Sequence, residues 1–195
     1  MRWLMALAVA AALQDADYQF PAPEGWRTER IEFPVPFAKD LDYKGFEDLR
    51  FAPGMFKPEA PDYFSYAFLF WIDGPMSLES ASIEKDLLKY YKGLCGAVAK
   101  SRKLDVDLSK ITVQVKKLDP NGKLGGEEAQ RFEATIEMVD AFVTGKPLTL
   151  RLECWGRTAA NAKRTCFFAI ASPKEKSEAV WTTLRKIQAD FSCPK

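Results

Sequence analysis

Three consecutive segments in the second half of the chain alternate apolar and polar residues with a period of two. No other feature constrains the fold as tightly. Ile111, Val113 and Val115 share one parity, and Thr112, Gln114 and Lys116 the other. Phe132, Ala134, Ile136 and Met138 oppose Arg131, Glu133, Thr135 and Glu137. Leu148, Leu150, Leu152 and Cys154 oppose Thr149, Arg151 and Glu153. Successive strand residues point to opposite faces, so each segment reads as a strand with one buried and one wet face. Such strands in series make an antiparallel meander. Asp119-Pro-Asn-Gly122 reads as the turn between the first two, and Thr144-Gly-Lys-Pro147 separates the second from the third. Thr158 to Ala162 turns the chain into a fourth strand, Thr165 to Ala171.

The elements before and after follow from the same reading. Arg27–Phe33 and Phe46–Phe51 are short strand candidates, and Ala52–Pro61, with three prolines and a glycine, is a loop. Tyr63–Ile72 is apolar at both parities, as expected of a central strand covered on both sides. A helix follows, capped by Ser77 or Ser80, with Ile83, Leu87, Leu88, Tyr91, Leu94, Cys95 and Val98 at helical spacing. Gly93 and Gly96 within it are small positions that allow close approach to the sheet. Ser172-Pro-Lys-Glu175 reads as a capping box with Pro at the first helical position. The last helix then buries Val180, Leu184, Ile187 and Phe191, with Trp181 beside them. The expected fold class is α+β: one antiparallel sheet of about six strands with two main helices packed on it.

The first residues carry a different signal. Met1–Leu13 has one basic residue, Arg2, then an apolar run too short to span a bilayer, then Ala10-Ala11-Ala12. This is the pattern of a cleaved secretory signal. The expected organisation is a signal peptide at 1–13 and a single domain at 14–195, with the mature chain starting between Leu13 and Asp17 and no membrane span left after cleavage. No cysteine follows the apolar run, which argues against a lipid anchor.

Composition narrows the chemistry. The chain has 28 Lys and Arg, 27 Asp and Glu, and no histidine. Loss of Arg2 with the signal leaves the signs balanced, so there is no long-range field to gather nucleic acid. Without histidine there is no Ser-His-Asp or Cys-His catalysis, no imidazole base and no ordinary zinc site. No metal or cofactor is expected. The four cysteines, Cys95, Cys154, Cys166 and Cys193, contain no C-x-x-C pair. In an exported protein an even number points to two disulfides. Cys154 and Cys166 lie symmetrically about a turn near Ala160, so the expected pairing is Cys154–Cys166 with Cys95–Cys193. That second bridge fails if the helices flank opposite faces of the sheet.

Two groups of residues stand out as candidate sites. Phe51, Met55 and Phe56, next to Arg50, put three large apolar side chains into a proline-rich loop. They pack over the sheet edge or form the lip of a groove for a ligand or partner. Arg131, Glu133, Arg151 and Glu153 lie on the wet faces of neighbouring strands, as a solvated surface laced by cross-strand pairs or a docking surface for a partner protein. Three other patterns are weaker. Ser82-Ile-Glu-Lys85 matches S-x-x-K but has no S-D-N or K-T-G partner. Asp119–Lys123 lacks the alternating oxygen ligands of a calcium loop. Glu127 and Glu128 are adjacent in a strand and point apart.

Tyr18-x-Phe20 followed by Pro23-Glu-Gly-Trp26 resembles the P-x-G-W opening of PsbP-like proteins, the photosystem II extrinsic-subunit family and its bacterial relatives. The closing Trp181-x-x-Leu184-x-x-Ile187-x-x-Asp190-Phe191 is similar to that family's last helix. The resemblance covers most of the mature chain, although Pro34–Asp62 is longer than the family pattern. It implies an α/β/α sandwich and a non-enzymatic exported protein, and it transfers no active-site residue. The expected function is an exported, non-catalytic domain at the cell envelope that binds a protein or a small apolar ligand. The alternative is a small exported hydrolase using carboxylate or Tyr/Lys chemistry.

Overall fold

The computed structural model describes residues 18–159 and 163–193. The export signal expected at 1–13 and its cleavage region lie outside these residues. Seven strands form one sheet: β1 (Arg27–Glu32), β2 (Gly45–Phe51), β3 (Tyr66–Asp73), β4 (Thr112–Leu124), β5 (Glu127–Val139), β6 (Pro147–Thr158) and β7 (Arg164–Ser172). Their order is β1-β2-β3-β7-β6-β5-β4, with every neighbouring pair antiparallel. Helix α1 (Ser80–Arg102) carries the chain from β3 to the far edge at β4, and α2 (Ala179–Asp190) follows β7. The fold is α+β as expected, with one strand more than the sequence suggested.

The two helices lie on opposite faces. Ile83, Leu87, Tyr91 and Cys95 of α1 pack with Phe68, Phe70, Phe167, Leu150 and Ile136. Val180, Trp181, Leu184 and Ile187 of α2 pack with Leu69, Phe168 and Ile170. β3 is covered on both sides, which is why Tyr66–Ile72 is apolar at every position.

Three local expectations are corrected. Asp119–Gly122 is not the hairpin turn but an irregularity within β4, where the register shifts between Leu118 and Gly122. The turn is Gly125-Gly126, both at positive φ (61° and 86°), the geometry a two-residue hairpin loop requires. Ser172 does not cap a helix. Its hydroxyl pairs with Ser65 at 2.8 Å and accepts from the Lys174 amide, so residues 173–178 form a turn and α2 starts at Ala179 behind Glu178. α1 likewise starts behind Glu79, without a side-chain cap from Ser77 or Ser80. Gly93 admits close approach, but to a loop: a β-carbon there would overlap the Phe37 carbonyl.

Candidate functional site

α1 lies mainly over β4 and β5, which leaves the β1–β2 end of the same face without a helix. Two loops, 33–44 and 52–65, rise over that end, and the space between them and α1 is a pocket of about 380 Å³. Its floor is the inward parity of the edge strands: Arg27, Glu29 and Ile31 from β1, Leu49 and Phe51 from β2, and Tyr66 from β3. Pro36 and Phe37 form one wall with Tyr90 and Leu94 of α1, and Met55, Phe56, Phe64 and Phe142 form the other. The lining is overwhelmingly apolar.

Of the residues expected to form this site, Phe51, Met55 and Phe56 line the pocket. Phe56 remains 41% exposed at its mouth, the sole large hydrophobic so exposed among the described residues. The Arg27 guanidinium sits 5.1 Å from the Phe56 ring and 5.7 Å from the Phe51 ring, so a cation caps the aromatic lip. Arg50 does not belong here. β2 alternation turns it to the α2 face, where it donates to the Phe20 carbonyl at 2.7 and 3.0 Å and pairs with Asp48 at 2.5 Å. With Tyr18, whose hydroxyl donates to Asp48 at 2.6 Å, it anchors the segment before β1.

The second expected surface is also accounted for internally. Glu153 pairs with Arg185 at 2.7 Å, Glu133 with Lys176, and Arg151 with Glu175 at 2.6 Å, while Arg151 also donates to the Pro173 carbonyl. Arg131 packs over Gly122. These polar positions seat α2 and the turn before it. Each exposed pair is worth at most about 1 kcal/mol, but together they fix where the helix lies.

Sequence reasoning missed the polar residues that hold the pocket walls. Asp140, 1% exposed, accepts from the amides of Phe142, Val143 and Thr144, from the Thr144 hydroxyl and from the Tyr63 hydroxyl. Burial acts to raise its carboxyl, but the bonds from Tyr63, Thr144 and Val143 outweigh it and hold it below the usual range. Asp140 thus ties the Phe142 segment to the Tyr63–Phe64 segment within one wall. Asp140→Ala is expected to cost about 3 kcal/mol in urea denaturation at pH 7, since it strands buried amides. The carboxylate's contribution is present above its unfolded value of about 4 and is lost as pH falls through the lower folded value. The gap from the native chain must therefore narrow at low pH.

Glu47 was likewise invisible. It lies on the pocket side of β2, between Ile31 and Phe70, and is 0% exposed. Tyr90 donates to its Oε1 at 2.8 Å, and its Oε2 has no hydrogen-bond partner. Burial pushes this carboxyl up to about 8, against the Tyr90 bond, with the Glu29 and Asp48 charges adding to the rise. Tyr66, Tyr90 and Tyr91 are raised by burial, so the phenols beside the pocket are neutral at pH 7. The Ser82 hydroxyl is hydrogen-bonded to Ser77 at 2.9 Å, and Lys85 is exposed to solvent.

All four cysteines are buried free thiols in the structure. The expected pairing is overturned by register. β6 and β7 pair Cys166 with Arg157 and Cys154 with Ala169, three positions away from placing Cys154 opposite Cys166. An odd offset reverses the face. Cys95 and Cys154 join the α1 core, whereas Cys166 and Cys193 join the α2 core, so both expected bridges would have to cross the sheet.

Among the described residues no cluster of potential metal ligands occurs, and no helix is long and apolar enough to cross a membrane. No protein-family model matches the chain, and no curated protein matches it in sequence. Two solved structures overlay on most of it. LpqN, involved in cell envelope biogenesis of Mycobacterium tuberculosis, is 11% identical at a TM-score of 0.38, over 91% of this chain and 83% of its own. Cyanobacterial PsbP (CyanoP) from Synechocystis sp. PCC 6803 is 9% identical at a TM-score of 0.38, over 96% of this chain and 99% of its own. The likeness to PsbP-like proteins is weak and at the level of the fold alone.

Proposed function

We propose that this chain is an exported, non-catalytic binding domain of the cell envelope, and that its ligand is a small apolar molecule held in the pocket over β1 and β2. The observation that carries the reading is the pocket itself. About 380 Å³ of space lies between aromatic and aliphatic walls, with Arg27 and Glu29 as its charged side chains. Small-molecule sites are typically concave, apolar and oriented by a few polar groups, and this volume is within their usual range. The side chains that would serve an alternative hydrolase, the neighbouring tyrosines, are held as neutral phenols and hydrogen-bonded to one another or to Glu47. Export is supported by the residue pattern of 1–13.

Titration with the neutral fluorophore N-phenylnaphthylamine tests the site. The native chain is expected to bind it saturably with enhanced emission. Leu94→Trp, which fills the pocket from the helix side, is expected to weaken binding by more than tenfold while leaving the circular dichroism spectrum unchanged. Absence of saturable binding, or equal binding by the folded variant, removes the pocket as the site.

A further inference from the structure

Cys166, Cys193 and Arg157 come together on the α2 face, away from the pocket. Arg157 and Cys166 are cross-strand partners on β6 and β7. Cys193 reaches them because Ser192 pairs with Gln19 through backbone bonds of 2.7 and 3.0 Å and bridges to Gly125. A β-carbon at Gly125 would lie 2.7 Å from the Cys193 nitrogen and 2.9 Å from its Sγ, so only glycine admits this approach. The Arg157 Nη2 donates to the Cys193 Sγ at 2.8 Å, and the Cys166 thiol is hydrogen-bonded to Cys193.

We infer that Cys166 and Cys193 are a thiol–disulfide exchange pair, with Arg157 as the positioning residue for the attacking sulfur and an external disulfide as the oxidant. Cys193 attacks one sulfur of the external disulfide as thiolate, forming a mixed disulfide and expelling one thiolate, which takes up a proton. Cys166 then releases its proton to solvent and attacks the Cys193 Sγ, expelling the second thiolate, which takes up a proton in turn. Two protein thiols are oxidised and one external disulfide is reduced to two thiols. The product links β7 to the segment after α2 and clamps the helix against its face of the sheet.

The order of events follows from the surroundings. The Cys166 hydrogen bond, working with the Arg157 guanidinium and against burial and the Glu127 charge, lowers the Cys193 thiol below the ordinary thiol range. Cys166 is raised by its bond to Cys193 and by burial, with Arg157 and Arg164 opposing. The attacking sulfur is therefore Cys193 and the resolving sulfur Cys166. Cys193 is 6% exposed, so attack requires residues 191–193 to lift, breaking the two isolated bridges that Ser192 makes to Gln19 and Gly125. Cys95 and Cys154 lie on the other face and are both raised by burial, which makes them internal controls.

The test is incubation of the full chain with oxidised glutathione, followed by alkylation and non-reducing peptide mapping across a pH series. The expected product is a single linkage between Cys166 and Cys193, with a formation rate that reaches half its maximum at a lower pH than an ordinary thiol would give. Arg157→Gln is expected to slow formation at least tenfold at pH 7 and to move the half-point upward, while Arg157→Lys retains most of the native profile. Any other linkage, four alkylatable thiols after incubation, or an Arg157→Gln profile superimposable on the native one overturns the assignment.

Discussion

Glu47→Gln is expected to abolish a steep loss of stability that the native chain undergoes between about pH 4.5 and about 8. These limits are the ordinary and the burial-raised values of the Glu47 carboxyl. Below the lower limit the carboxyl is protonated in both the folded and unfolded chains, and stability is complete. Between the limits the unfolded chain releases its proton while the folded chain retains it. The native state therefore loses stability as pH rises, until the folded carboxyl ionises as well. At about 1.4 kcal/mol per pH unit, the loss across this window is on the order of 3–5 kcal/mol. That is a large share of the stability of an ordinary domain. The readout is the slope of the urea midpoint against pH. The slope is insensitive to any fixed cost of placing an amide beside Tyr90. A native chain with no downward slope, or a glutamine variant with the same slope, means that Glu47 is not held neutral.

Gly93→Ala and Gly96→Ala are expected to move stability in opposite directions although both replace a glycine inside α1. Helix propensity favours alanine at each by about 1 kcal/mol. At Gly93 the new methyl would overlap the Phe37 carbonyl and lie 3.1 Å from the Ala38 β-carbon. The helix and the 33–44 loop must then separate, at a cost of about 2–4 kcal/mol. At Gly96 the nearest atom is the Leu108 Cδ1 at 3.1 Å, the end of a side chain that can rotate away. That variant is expected to gain a few tenths to about 1 kcal/mol. The functional consequence is confined to Gly93, because Phe37 stacks edge-on against Tyr90 at 5.1 Å and both line the pocket. Lifting the loop opens that wall, so N-phenylnaphthylamine binding should weaken together with stability. Equal denaturation midpoints for the two variants would show that the loop is not seated on the helix at Gly93.

Part of the site was legible because loop composition exposes it. Three large apolar side chains among prolines cannot all face water, and Phe51, Met55 and Phe56 do line the pocket. Arg50 was misplaced because proximity in a loop ignores the parity of the strand that precedes it. The alternation of β2 sends Arg50 to one face and Leu49 and Phe51 to the other. Glu47 and Asp140 carry no local sign of burial, since each becomes buried only through elements distant in the chain, Tyr90 for one and Tyr63 for the other. The polar parity of β5 and β6 read as a wet or docking face because α2 supplies the partner charges from Glu175, Lys176 and Arg185, and only packing brings those to it.

By itself the sequence determined the alternation of β4, β5 and β6, the central place of the doubly apolar Tyr66–Ile72 segment, most of the buried stripe of each helix and the α+β class. These are local consequences of backbone geometry and side-chain polarity, readable within a few residues. What tertiary structure alone decided is which face each helix covers and where β4 turns into β5. The β6–β7 register falls three residues from the symmetric choice, and because side chains alternate, that odd step separates Cys154 from Cys166 by the thickness of the sheet. The pocket has the same origin. It exists because α1, in crossing to the far edge, leaves β1 and β2 for two loops to cover. The path of a crossover is set by packing over the whole sheet, which no window of sequence contains.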